Sequence, residues 1–116
     1  MNEANFVKIK KDLLRECEDD WIALWWILAK VRKVCGENCS NDKARALVMR
    51  LVAELLSSGK VEAGCPTSTG GWKPWRLSHP AALTRIEAEW DALGEDPDIG
   101  KELVWFTASP RVRPHQ

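Results

Sequence analysis

The chain has 116 residues, 45% hydrophobic and 29% charged, the length and composition of one globular domain around a single core. Seventeen Lys and Arg balance seventeen Asp and Glu, which excludes the broad positive field of non-specific nucleic-acid binders but leaves room for a local patch. The longest apolar run, Trp21 to Ala29, has nine residues, against the roughly 20 that a membrane-spanning helix needs.

The first residues, Met1-Asn2-Glu3-Ala4-Asn5, carry an acid and lead into a charged stretch. A secretory leader runs from a basic to an apolar region, so a cytoplasmic location is expected. Four cysteines, Cys17, Cys35, Cys39 and Cys65, are too few and too irregularly spaced for a secreted disulfide scaffold, and reduced thiols are expected. A zinc site at Cys35 and Cys39 would need two further ligands, with His79 and His115 the only histidines. The spacing fits Cys17 and Cys35 better as small hydrophobes near helix ends and Cys39 and Cys65 as turn residues. No metal or cofactor is expected.

From Asn5 to Glu18, Phe6, Ile9, Leu13 and Cys17 recur every three to four residues, which predicts an amphipathic helix. Asp19 and Asp20 then offer an N-cap for a second helix, Trp21 to Val34. Ten of the eleven residues from Trp21 to Val31 are apolar, so this helix is expected to be packed on several sides, with a second copy of the chain as one way to cover it. Gly36 stops it, and Ser40 or Asn41 caps a third helix running to Ser58, in which Ala44, Leu47, Val48, Leu51, Val52, Leu55 and Leu56 keep the helical period.

After Gly59 the period falls to two: Val61 and Ala63 alternate with Lys60, Glu62 and Gly64, predicting a short strand. The turn-rich Cys65 to Gly71 leads to Trp72-Lys73-Pro74-Trp75-Arg76-Leu77, a second hairpin strand that Pro74, lacking an amide donor, assigns to a sheet edge. Ser78 and Pro80 start a fourth helix with Leu83, Ile86, Trp90 and Leu93 on one face, ended by Gly94. Leu103 to Thr107 is rich in strand formers, and residues 110–116 read as a tail beyond a single domain of residues 1–109. The expected fold is therefore α+β and mostly helical. Its three-helix core and hairpin are winged-helix-like in order, with a fourth helix and a C-terminal strand as an extension packed against them; the pattern equally allows a plain α+β domain whose hairpin and final strand form a small sheet under four helices.

Three surfaces are candidates for function. Lys43, Arg45 and Arg50 lie off the apolar face of the third helix and can meet phosphates or base edges if that helix enters a major groove, or simply solvate it. Trp72 and Trp75 flank Pro74 with opposite parity, so one tends outward as a partner anchor, unless both fold over the core. Between Glu87 and Glu102, seven acids (Glu87, Glu89, Asp91, Glu95, Asp96, Asp98, Glu102) face one base, Lys101. Such a face can hold a basic partner, or be a solvated helix end. No histidine stands by pattern beside a nucleophile and an acid, and no phosphate-binding glycine loop occurs, so catalysis is not expected.

Four pieces, Asp20-Trp21-Ile22-Ala23-Leu24-Trp25, Leu55-Leu56-Ser57-Ser58-Gly59-Lys60-Val61-Glu62-Ala63-Gly64, Trp90-Asp91-Ala92-Leu93-Gly94, and Asp98-Ile99-Gly100 with Val104-Trp105-Phe106, carry a resemblance over residues 20–107. They resemble small stand-alone bacterial proteins similar to the immunity proteins of contact-dependent and polymorphic toxin systems. The resemblance implies a non-enzymatic protein that binds a basic toxin domain in the cytoplasm and occludes its active site or substrate surface. It carries no site residues of its own; on this reading Glu87, Glu89, Asp91, Glu95, Asp96 and Asp98 supply charge complementarity, and Trp72 and Trp75 the anchors. The other expectation is a DNA-binding regulator acting through Lys43, Arg45 and Arg50.

Overall fold

A computed structural model describes residues 2–36 and 39–109. The elements, in order, are α1 (Glu3–Asp19), β1 (Ile22–Ala23), α2 (Leu24–Cys35), α3 (Asn41–Ser57), β2 (Val61–Pro66), β3 (Trp72–Pro74), α4 (His79–Leu93) and β4 (Trp105–Ala108). The protein is mixed α+β and mostly helical, and the expected order of three helices followed by a hairpin is present. The expected tail, residues 110–116, lies outside the described residues.

Helix α1 begins where the Asn2 side chain accepts the Asn5 N–H at 2.8 Å, and it buries Phe6, Ile9, Leu13 and Cys17. Helix α2 departs from expectation. It starts at Leu24, three residues late, because Ile22 and Ala23 pair as a strand with Phe106 and Trp105. Asp20 accordingly is the C-cap of α1 and accepts the Trp21 N–H at 2.7 Å instead of N-capping α2, while the Leu24 N–H finds the Val104 carbonyl at 3.1 Å. The shortened helix packs on α1, α3 and β1 as expected but keeps one open face. It buries Leu24, Ile27, Leu28 and Val31 but leaves Trp26 40% and Val34 42% exposed.

Helix α3 is the centre of the packing, touching α1, α2, α4 and β2. Ser40 caps it by accepting the Lys43 N–H at 3.1 Å, and Val48, Leu51, Val52 and Leu55 are wholly removed from solvent. Burial of each such side chain contributes about 1.5–3 kcal/mol. Cys35 and Cys39 are joined by a disulfide, not reduced as expected. The chain turns back after α2, with the Cys39 N–H donating to the Gly36 carbonyl, and this brings the two sulfurs together at the junction with α3.

The four strands form one antiparallel sheet in the order β1-β4-β2-β3. The last strand is therefore not an extension: β4 lies between β1 and β2, and its Phe106 is fully buried. The pairs Ile22↔Phe106 and Ala63↔Phe106 share the face that meets the helices. Strand β3 is at the edge, as Pro74 requires, but stops at Pro74 instead of continuing to Leu77. Two residues on, Arg76 takes a left-handed backbone with φ 56°, which turns the chain toward α4. Helix α4 is capped by Ser78 and buries Ala82, Ile86 and Trp90 against the core.

Candidate partner-binding surfaces

The 87–102 acids are exposed for the most part but not free as a group. Glu89 pairs with Arg85 one turn back, Asp91 with Arg45 at 2.8 Å, Glu95 with Lys101, and Asp96 with Arg32 from the end of α2. Glu95 holds the Lys101 ammonium above its ordinary range by that contact. Glu87 contributes its backbone carbonyl to Arg45, and Asp98 turns its carboxylate onto the Ile99 N–H. Three-dimensional folding has brought in cations that the linear count of one base omitted.

What the fold assembles from this region is an acidic notch of about 510 Å³ between the start of α3 and the end of α4. Four carboxylates line it, Asp42, Asp91, Glu95 and Asp96, with Arg45 on its wall and Trp90 behind. Asp42 has no ion-pair partner among the described residues. Glu87, Glu89 and Asp98 stand outside the notch.

Trp72 and Trp75 are both half-buried and border one cleft, but their side chains make different contacts. Trp75 folds over the core: its N–H donates to the Ala63 carbonyl at 3.0 Å, and the Arg85 guanidinium covers its ring at 3.8 Å. It meets the acidic region only through Arg85 and Glu89. Trp72 lies on the opposite face of the sheet, where its indole N–H donates to Glu62 at 2.8 Å and its ring sits 5.6 Å from that of Trp21. The strand register puts Trp105 on that face as well, since Trp105 opposes Gly64 and Gly64 opposes Pro74 two positions from Trp72. The anchors and the acids named from the sequence thus do not form one surface.

The cations of α3 are divided in the same way. Arg45 reaches toward α4, pairing with Asp91 and lying 4.8 Å from the Trp90 ring centroid. Arg50 reaches toward α1, where it forks onto Glu3 at 3.0 and 2.9 Å, contacts Glu54 and covers Phe6. Lys43 is exposed at the first turn. Helix α3 therefore presents no continuous basic strip, and two of its three candidate cations are neutralised within the chain.

Reasoning from the linear sequence missed a second group of aromatics. Trp21, Trp25, Trp26 and Trp105 line one cavity of about 350 Å³ together with Glu16, Asp19 and Asp20. The signal was divided between two ends of the chain, and the helix expected over Trp21 to Val34 turned the first three tryptophans in different directions. A larger cleft, about 560 Å³, runs between the hairpin and the start of α4 and is lined by Trp75, Arg76, Leu77 and His79 among others. Among the described residues no three His, Cys, Asp or Glu side chains converge as a metal-binding group, and no helix is long and apolar enough to cross a membrane. Comparison of the chain with protein-family models, curated proteins and solved structures returns no match.

Proposed function

We propose that this protein is a non-enzymatic binding module that holds a basic protein partner in the cytoplasm, acting as an immunity protein that occludes a toxin domain. The observation that carries the reading is the acidic notch. Four carboxylates, Asp42 from α3, Asp91 from α4 and Glu95 and Asp96 from the turn that follows α4, line one open cavity. Asp42 has no ion-pair partner among the described residues, and Asp91, Glu95 and Asp96 lie in solvent-exposed pairs that a cationic surface can exchange into, so the notch can attract and orient such a surface. A basic nuclease cleft, which normally receives phosphate, is the kind of surface that such a notch fits. The resemblance over residues 20–107 points in the same direction.

A regulator that reads DNA through Lys43, Arg45 and Arg50 is the weaker reading. Phosphate tracking requires a continuous strip of cations, and Arg45 reaches toward α4 while Arg50 reaches toward α1, so the two do not share a surface.

The test uses the immobilised chain as bait in nuclease-treated lysate of its source cells, beside a D42K/E95K variant that spares the Arg45–Asp91 and Arg32–Asp96 pairs. The expected result is stoichiometric capture of a basic protein whose expression alone arrests growth and whose co-expression with this chain does not. The variant is expected to bind it at least about tenfold more weakly, a loss of roughly 1.4 kcal/mol. Capture that depends on intact nucleic acid, or a growth arrest unrelieved by the chain, would overturn the reading.

A further inference from the structure

The cavity under the tryptophans has a chemistry distinct from that of the notch, and the two share no residue. Its walls are the faces and edges of Trp21, Trp25, Trp26 and Trp105, and its acidic side is Glu16, Asp19 and Asp20. Indole faces attract cations through their quadrupole, and carboxylates at the same site add charge and hydrogen-bond acceptors.

One corner already shows how a cation is held. The Lys30 ammonium stands 5.3 Å from the Trp26 ring centroid and 2.9 Å from a Glu16 oxygen, while the other Glu16 oxygen accepts the Trp26 indole N–H at 2.8 Å. The rest of the cavity has the same ingredients without a cation. Asp19 and Asp20 are exposed, and neither has an ion-pair partner among the described residues. Trp21, Trp25 and Trp105 are half-buried beside them. A volume of about 350 Å³ is at the small end for ligand pockets, enough for one side chain. Trp25 also carries a buried indole N–H with no hydrogen-bond partner. A guanidinium has no acceptor for this donor, and the backbone carbonyl beside a bound arginine side chain would have to supply one.

The kind of cation follows from the donor set. Carboxylates reward N–H donors, which a quaternary ammonium lacks. A guanidinium is planar, stacks on an indole and presents two parallel N–H groups to one carboxylate. Elsewhere in this chain rings are covered by guanidinium three times: Arg45 on Trp90, Arg50 on Phe6 and Arg85 on Trp75.

We infer that the cavity bounded by Trp21, Trp25, Trp26 and Trp105 is a binding site for a guanidinium group, taking an exposed arginine side chain of a partner polypeptide against Asp19 and Asp20. The site stands independently of the notch, because its ligand is recognised by different residues.

The experiment titrates acetyl-Gly-Arg-Gly-amide into the ¹⁵N-labelled chain and follows the indole N–H resonances. Saturable shifts of Trp21, Trp25, Trp26 and Trp105 at millimolar peptide or below are expected, with Trp75 and Trp90 unmoved. The citrulline peptide, equal in shape but uncharged, is expected to leave all of them in place. A D19N/D20N variant keeps the side-chain acceptor for the Trp21 N–H and is expected to bind the arginine peptide about tenfold more weakly. Equal shifts with citrulline, absence of saturation, or unchanged affinity of D19N/D20N would overturn the site. Tighter binding of choline than of the arginine peptide would overturn its assignment to guanidinium.

Discussion

The indole of Trp72 lies directly over Gly64 of the neighbouring strand. A Cβ built on Gly64 would meet Trp72 Cζ2 at 2.7 Å, the Lys73 carbonyl oxygen at 2.5 Å and the Pro74 Cα at 2.9 Å. Two of these three are backbone, so the edge strand itself would have to move. The absence of a side chain at one position therefore fixes where a tryptophan three strands from β1 can lie, and with it the contact between Trp72 and Trp21. G64A is expected to lower stability by roughly 1–3 kcal/mol, the usual range for overpacking. Urea denaturation measures it, and W72A/G64A should recover only part of the loss because the clashes with Lys73 and Pro74 remain.

The buried Cys17 thiol is pushed up to about 12 from its ordinary 9.0, by burial first and by the neighbouring Glu16 and Glu18 carboxylates second. The unfolded chain releases this proton more readily than the folded one. The contribution of Cys17 is thus fully present below pH 9.0 and is lost as pH rises toward 12. Wild type is expected to lose stability across that window more steeply than C17A, whose difference from wild type should be independent of pH below it. Parallel pH profiles would rule out the thiol as a source of alkaline sensitivity.

The Cys35–Cys39 bridge closes a short loop between α2 and α3. Chain-entropy arguments give a loop of this size about 2 kcal/mol of stabilisation. The C35A/C39A variant, or the reduced protein, should be less stable by that amount in urea denaturation, with the notch residues Asp42 and Arg45 on the adjoining turns of α3 the first to lose order. Hydrogen exchange along α3 would report it, and uniform protection with and without the bridge would count against the assignment.

Arg50 and Glu3 tie α3 to the first turn of α1. The guanidinium, by its hydrogen bond first and its charge after that, holds the Glu3 carboxyl below its ordinary 4.5. A depressed carboxylate stabilises the fold above its unfolded value and ceases to do so as pH falls through its folded one. E3Q is expected to be slightly less stable than wild type at neutral pH and indistinguishable from it in strong acid, as read from paired denaturation curves. A difference that persists in acid would mean that the contact works by packing, through Arg50 on Phe6, instead of by charge.

Arg45 is expected to matter to stability and not to nucleic acid. R45A removes its pair with Asp91 and its cover of Trp90, at a cost of about 1 kcal/mol. The wild-type chain should leave duplex DNA unretarded in a mobility-shift assay at physiological salt. A retarded complex that R45A and R50A abolish would restore the regulator reading.

The helices were legible in the sequence because an apolar residue every three to four positions can bury one face only as a helix, and Ser40, Ser78 and Gly94 mark ends by chemistry local to the backbone. Pro74 likewise assigned its strand to an edge, since a missing amide donor is a property of one residue. The rest was decided in three dimensions. Ile22 and Ala23 left the helical run because Trp105 and Phe106, some 80 residues later, offered hydrogen bonds that an isolated turn cannot match. The acids after Glu87 lost their isolation to Arg32 and Arg45, which no local count includes, and to Arg85 one turn before Glu89 on the same helix. The same closure of β4 between β1 and β2 carried Trp105 to Trp21, Trp25 and Trp26. Periodicity determines which residues leave water, but which side chains then meet depends on strand order and register, and those are set by contacts between distant parts of the chain.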